Sequence, residues 1–226
     1  MVVPEESSRD TEQAAPSGVQ QRRDSRKQKT HQALLDAALA LSSTGRSFAE
    51  ISLREITRTA GVVPAAFYRH FADMDSLGVE LADQVCVSLH DLLAGLRNSY
   101  ATPAFSRTRL SIEVFFHAVH ANPEHWRFIV AERWGGVARV RERIDAEINR
   151  FTHGLTQDVR QLPDFAKMNE ADLTIMSELL TNLAFAWAMR WLNDATTAEQ
   201  RELLIQRTTR QSQLLLRGIS HWRSDL

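Results

Sequence analysis

The stretch Ser52-Leu-Arg-Glu-Ile-Thr-Arg-Thr-Ala-Gly-Val-Val-Pro-Ala-Ala-Phe-Tyr-Arg-His-Phe71 reads as two short helices joined by a three-residue turn around glycine. Ser52 and Glu55 make an S-x-x-E pair, in which each side chain satisfies a backbone N–H that the helix start leaves unpaired, so Ser52 is the expected N-cap. Leu53, Ile56 and Ala60 recur at spacings of three and four and form one apolar stripe, with Arg54, Thr57 and Arg58 expected to face outward. Gly61 can take the left-handed conformation that ends a helix, and Pro64 suits the first turn of the next. In that second helix Phe67 and Phe71 stand four apart and anchor it to a core, which leaves Ala65, Ala66, Tyr68, Arg69 and His70 on the outer side.

This is the layout of a helix-turn-helix whose second helix enters the major groove of DNA. Small Ala65 and Ala66 permit close approach and contact with thymine methyl groups, while Tyr68, Arg69 and His70 can donate to phosphate oxygens or base edges. Ser52, Arg54 and Pro64 complete the candidate face. The same spacing also fits a helical hairpin with a solvated polar side, so the pattern alone leaves both readings open.

Charge favours the first. The formal net charge of the chain is −1. It is unevenly spread, because residues 22–70 carry nine Arg or Lys against four Asp or Glu, whereas residues 1–21 carry one against four. A basic head on a mildly acidic remainder is the footprint of phosphate binding, to which Arg26, Lys27 and Lys29 would add contacts.

The rest of the chain predicts helices and nothing else. Residues 1–20, polar and containing Pro4, Pro16 and Gly18, read as a disordered arm. Helical periodicity follows over about 26–43, 75–97, 106–121, 123–133, 137–160, 170–193 and 197–222, broken by Pro103, Pro123, Gly135-Gly136, Pro163 and Asn193-Asp194. No segment alternates with period two, so the expected fold is all-α, with a DNA-binding domain over 21–74 and a helical effector and dimerisation domain over 75–226. Phosphate-loop, dinucleotide and hydrolase motifs are absent, and no cofactor or metal is expected. One cysteine, Cys86, and the lack of an apolar leader or an uninterrupted apolar span predict a cytoplasmic protein that does not enter a membrane.

The segments Ala-Leu-Leu-Asp-Ala-Ala at 33–38, Leu-Arg-Glu-Ile at 53–56, Ala-Gly-Val at 60–62 and Phe-Tyr-Arg-His-Phe at 67–71 resemble the N-terminal domain of the TetR family of repressors. Two departures stand out: many members place Ser or Thr where Val63 stands, capping the recognition helix, and a Lys near Met74 and Asp75. Val-Pro-Ala-Ala-Phe-Tyr-Arg-His-Phe, then Asp-Met-Asp-Ser-Leu-Gly at 73–78 and Asn-Pro-Glu-His-Trp-Arg-Phe-Ile-Val-Ala-Glu-Arg at 122–133, resemble the repressors of unsaturated fatty acid synthesis of the FabR and DesT type. The resemblance implies a homodimeric, non-enzymatic repressor that binds a palindromic duplex through a dimer joined by its last two helices. It also implies a long-chain acyl-CoA effector.

The helix at 170–193 is apolar around most of its circumference and must be covered on several sides. Leu179, Leu183 and Trp187, with Leu215 and Trp222 of the last helix, are the dimer seam that the resemblance implies, although burial inside a monomer would also cover the helix. Phe115, Phe116, Trp126, Phe128, Trp134, Phe151 and Trp187 suit an apolar ligand cavity, although the same aromatics would also serve as plain core. If the ligand is an acyl-CoA, Arg127, Arg133, Arg139 and Arg141 are candidates for its phosphates. Glu113, His117 and His120, near Glu124 and His125, have passable metal-ligand spacing, but pocket-lining or exposed histidines are the preferred reading. A TetR-type repressor for another apolar molecule, such as an efflux regulator, is the alternative. An all-helical metal protein or enzyme and a helical interaction module stand behind it.

Overall fold

A computed structural model describes residues 18–99, 104–220 and 222. It contains nine α-helices among the described residues: α1 (Gly18–Ser42), α2 (Leu53–Thr59), α3 (Pro64–Phe67), α4 (Met74–Ser99), α5 (Ala104–Ala121), α6 (Pro123–Glu132), α7 (Ala138–Arg160), α8 (Glu170–Asn193) and α9 (Ala198–Ser220). Single 3₁₀ turns lie at Phe48–Glu50 and Pro163–Phe165, and no strand occurs among these residues. The fold is all-α, with a helix-turn-helix head followed by a helical body. No described helix is long and apolar enough to cross a membrane.

Two boundaries differ from the sequence reading. The first helix starts at Gly18, so helix occupies the end of the segment read as a disordered arm; residues 1–17 and Pro103 lie outside the described residues. The second helix of the pair is only four residues of α-helix. Its tail continues through i→i+3 bonds, Arg69 N to Ala66 O at 3.2 Å and His70 N to Phe67 O at 2.8 Å, which tighten the last turn.

Local chemistry explains the turn. The Ser52 hydroxyl accepts from Glu55 N at 3.3 Å while the Glu55 carboxylate accepts from Ser52 N at 2.9 Å, closing the capping box. Gly61 takes φ 68°, where a Cβ would be strained, and Val62 N reaches back to Thr57 O at 2.9 Å. Val63 caps α3 with no side-chain bond, as its lack of a hydroxyl requires. Thr57, expected outside, is buried, and its hydroxyl closes on Leu53 O at 3.0 Å.

One core runs from α1 through Phe67 and Phe71 into α4 and on into the body. Where α4 passes between head and body, Gly78 permits the contact: a Cβ there would stand 2.6 Å from the Phe48 ring and 2.6 Å from a Val140 methyl of α7. The head is also held by α6. Glu132, 1% exposed, accepts from Phe48 N at 2.8 Å and from the Ser47 hydroxyl at 3.2 Å, and Phe128 meets Phe48 edge-on at 6.4 Å. Thus α6 joins the head to the body beside α4.

Candidate nucleic-acid interface and ligand cavity

The helix-turn-helix presents Pro64, Ala65, Tyr68 and Arg69 to solvent, with Ala66 and His70 half-buried beside them. Tyr68 is 66% exposed although its ring touches Phe67 edge-on at 5.5 Å, so its hydroxyl end projects outward. Arg26, Lys27 and Lys29 of α1 and Ser52 and Arg54 at the start of α2 are exposed as well. Val63, not among the residues singled out from the sequence, is also exposed at the tip of the turn.

Two acidic groups in this region, Glu55 and Glu80, are engaged by side chains of the head. Arg46 donates to Glu55 at 2.8 Å, and this bond, with those from Ser52, holds the Glu55 carboxyl down to about 2. Behind the recognition segment, His31 stacks on Phe71 at 4.6 Å and meets Glu80 of α4 at 2.5 Å. His70 lies 5.7 Å from His31 and keeps its Nδ1 buried without a partner. Burial, then the neighbouring His31, Lys27 and Arg69, lowers its pKa.

The body contains an apolar cavity of about 180 Å³ that is partly open to solvent. A cavity needs only roughly 10–15 Å³ by this measure to admit one water, so the space is many times that minimum. Leu92 and Leu96 of α4 form one wall, Ile112 and Phe115 of α5 another, and Phe151, Leu155, Met176, Leu180 and Trp187 close it from α7 and α8. Polar groups in the lining are few: Thr108, Ser111, Thr181, Ser212 and the ion pair of Arg107 with Asp164, 2.9 Å long.

Of the aromatic residues expected here, Phe115, Phe151 and Trp187 are in the wall. Phe116, Trp126 and Phe128 are not; they fill the solid core, with Phe116 stacked on Trp191 at 4.5 Å and Trp126 edge-on to Phe115 at 5.7 Å. Trp126 and Phe128 belong to α6, which packs against the head and α8 and does not border the cavity, while Phe116 is on the face of α5 that meets α8. At the end of α6 the Arg133 guanidinium lies over Phe185, 4.5 Å from its centroid, and donates to Asn182 at 3.1 Å, while Trp134 is 79% exposed.

The other arginines expected at phosphates are also away from the lining. Arg127 donates to Leu192 O and Asn193 at the end of α8, both at 3.0 Å; Arg141 donates to Gly135 O at 2.7 Å; Arg139 lies 3.9 Å from Asp73. Arg107 is the arginine that the lining contains. Among the described residues no group of three potential ligands could hold a metal: Glu113 pairs with Arg109 at 2.8 Å, and His125 Nδ1 lies 2.7 Å from the Ser88 hydroxyl.

On α8, Ile175, Leu179 and Leu183 are exposed at spacings of four, an unpartnered apolar face flanked by exposed Leu203 and Leu214 of α9. Leu215 is half-buried, and Trp222 is exposed with its indole N–H on Asp172 at 2.9 Å. Trp187, read both as cavity and as seam, is turned inward, and its indole donates to Gln211 at 3.1 Å.

A basic helix-turn-helix joined to a helical body with an apolar cavity has the layout of a DNA-binding transcriptional regulator. Residues 34–81 match the bacterial regulatory proteins of the tetR family, and residues 106–215 match the tetracyclin repressor-like C-terminal domain. Together these matches take in about seven tenths of the sequence, and the chain belongs to the TetR family, whose members are regulators and not enzymes.

Solved structures share the fold. The fatty acid degradation regulator FadR from Bacillus halodurans is 14% identical at a TM-score of 0.63, over 85% of this chain and 97% of that one. FadR from Bacillus subtilis, in complex with stearoyl-CoA, is 14% identical at 0.61, over 83% and 98%. NalD, the secondary repressor of the MexAB-OprM multidrug efflux pump in Pseudomonas aeruginosa, is 22% identical at 0.58, over 81% and 96%.

Proposed function

We propose that this TetR-family regulator is a repressor of lipid metabolism genes, of the FabR and DesT kind, and that its effector is a long-chain acyl-CoA. The observation that carries the reading is the cavity: an apolar space whose α4 wall, Leu92 and Leu96, belongs to the same helix that packs on the head at Leu77. The stearoyl-CoA held by the Bacillus subtilis FadR supports the ligand class, since that protein has this fold. The acyl tail lies between Phe115, Phe151 and Trp187, with Arg107 the cation nearest to hand for the polar end.

Residues 21–74 act as the DNA-binding domain and 75–226 as the effector and dimerisation domain. Two copies joined through the exposed face of Leu179 and Leu183, with Leu215 and Trp222 beside it, read a near-palindromic duplex through residues 64–70. Arg26, Lys27 and Lys29 add phosphate contacts.

An effector shifts DNA affinity only by binding one spacing of the two heads better than another. Saturated and cis-unsaturated chains differ in shape and so demand different packing of the cavity wall against α4. Titration of each acyl-CoA against the protein bound to a selected duplex tests this. Different effects on DNA affinity are expected; no effect from any chain at micromolar concentration overturns the lipid reading and leaves the DNA-binding one intact.

A further inference from the structure

The leading part of α1 packs on nothing. Residues 22–29 are all exposed, Thr30 and His31 are half-buried, and the first buried side chain is Leu34. Arg22 therefore stands twelve residues ahead of the core, roughly 18 Å along the helix. This overhang has a direction. At its C-terminal end α1 leads through residues 43–47 to Phe48, which bonds to Glu132 of α6 and packs at Gly78 of α4, on the side of the body. Toward its N-terminal end α1 passes the recognition segment, where His31 stacks on Phe71 and the charge of Lys27 acts on His70. Arg26, Arg23 and Arg22 lie beyond, on the side away from the body.

Arg22, Arg23, Arg26, Lys27 and Lys29 occupy one side of the overhang. At about 100° per residue they span roughly 160° of the circumference, and Asp24, Ser25 and Gln28 take the remainder. None of the five is in an ion pair among the described residues. Arg22 and Arg26 are four residues apart, as are Arg23 and Lys27, so like charges meet one turn apart, and no acidic residue stands in the first turn of the helix to offset them. Helices draw most of their stability from a packed face, and this stretch has none. A polyanion laid along the cationic side supplies what is missing, because phosphates relieve the repulsion and give the helix a surface to lie on.

We propose that the overhang is a second DNA-binding element, in which Arg22 and Arg23 hold phosphates of the duplex flanking the half-site that residues 64–70 read. Phosphate contacts carry no base information, so the flank can have any sequence and only its presence counts. This rests on the docking face proposed above and lengthens its footprint.

The test compares the full chain with the double variant Arg22→Gln, Arg23→Gln, whose new residues are also good helix formers. Each is titrated by fluorescence anisotropy, over a range of salt, with two duplexes. One is a selected duplex trimmed to its sequence-dependent bases; the other adds about eight base pairs of arbitrary sequence, roughly 27 Å, at each end. The parent binds the longer duplex about tenfold tighter at low salt, with a salt slope steeper by about 1.8 per protomer, as two phosphate contacts require. The double variant binds the trimmed duplex as the parent does, which shows that it folds, and gains no more than about twofold from the added length. Equal affinity of the parent for both duplexes overturns the proposal while the docking face stands. A gain in the double variant equal to that of the parent overturns it too, as does a loss on the trimmed duplex as large as on the longer one. No binding of either duplex by the parent removes the docking face and the proposal together.

Discussion

Replacing Glu132 by alanine removes the carboxylate through which α6 holds the head. Two bonds are lost, from Phe48 N at 2.8 Å and from the Ser47 hydroxyl at 3.2 Å. They are not equivalent, because Ser47 is half-exposed and recovers a bond to water, whereas Phe48 is 1% exposed and its N–H does not. A bond to a charged acceptor contributes about 1.5–3 kcal/mol, and stranding a buried donor costs about 1–3 kcal/mol. Alanine also relieves the burial of Glu132 Oε2, which has no partner, and this offsets part of the loss.

The net expectation for Glu132→Ala is a destabilisation of about 3 kcal/mol. Glu132→Gln keeps an acceptor for Phe48 N and should cost about 1 kcal/mol or less. Urea titration of both variants, at one protein concentration and followed by far-ultraviolet circular dichroism, measures the difference. An alanine variant within about 0.5 kcal/mol of the parent, or a glutamine variant as unstable as the alanine one, would mean that the carboxylate is not a latch.

Three further outcomes are expected. Arg69→Ala should weaken binding to a selected duplex by about 1–3 kcal/mol if it reads a base, while Lys29→Ala weakens all duplexes alike and flattens the salt slope; if neither alters affinity, the docking face is elsewhere. Leu183→Glu and Leu215→Glu place a charge in the proposed seam and should yield monomers, so light scattering that still reports dimers for both refutes that seam. Burial depresses the pKa of His70 and of His125. The unfolded chain therefore takes up these protons first, so stability is full above about pH 6.5 and falls as pH drops below it. His70→Gln should make the fall shallower in a series of melting temperatures, and an unchanged slope would exclude His70 as a contributor.

What the sequence made legible was local. The capping box of Ser52 and Glu55, the stop at Gly61 and the anchors Phe67 and Phe71 depend on neighbours a turn away, and they occur where the spacing places them. The early end of α3 was not legible, because i→i+3 and i→i+4 closure draw on the same residues. Aromatic content suited a cavity but did not give its wall: Phe115 and Phe116 are adjacent, and the packing of α5 against α4 and α8 decides that the first lines the space while the second meets Trp191. The bond from Phe48 to Glu132 joins residues 84 positions apart, and no local spacing pairs them.

The pinch at Gly78 makes α4 a lever with unequal arms. Gly78 is four residues from the start of α4 at Met74, and fourteen and eighteen from Leu92 and Leu96 in the cavity wall. At 1.5 Å per residue these arms are roughly 6 Å and roughly 21–27 Å. With the fulcrum so near the head, a push of about 1 Å at the cavity moves the head end by only about a quarter of that, but it turns the helix through roughly 2–3°. The head would thus receive a change of angle more than a change of place, and in the proposed dimer two heads on a duplex would register angle as separation. A methyl group at Gly78 would wedge that fulcrum apart, since it has nowhere to go between Phe48 and Val140, and the lever would be set before any ligand arrived.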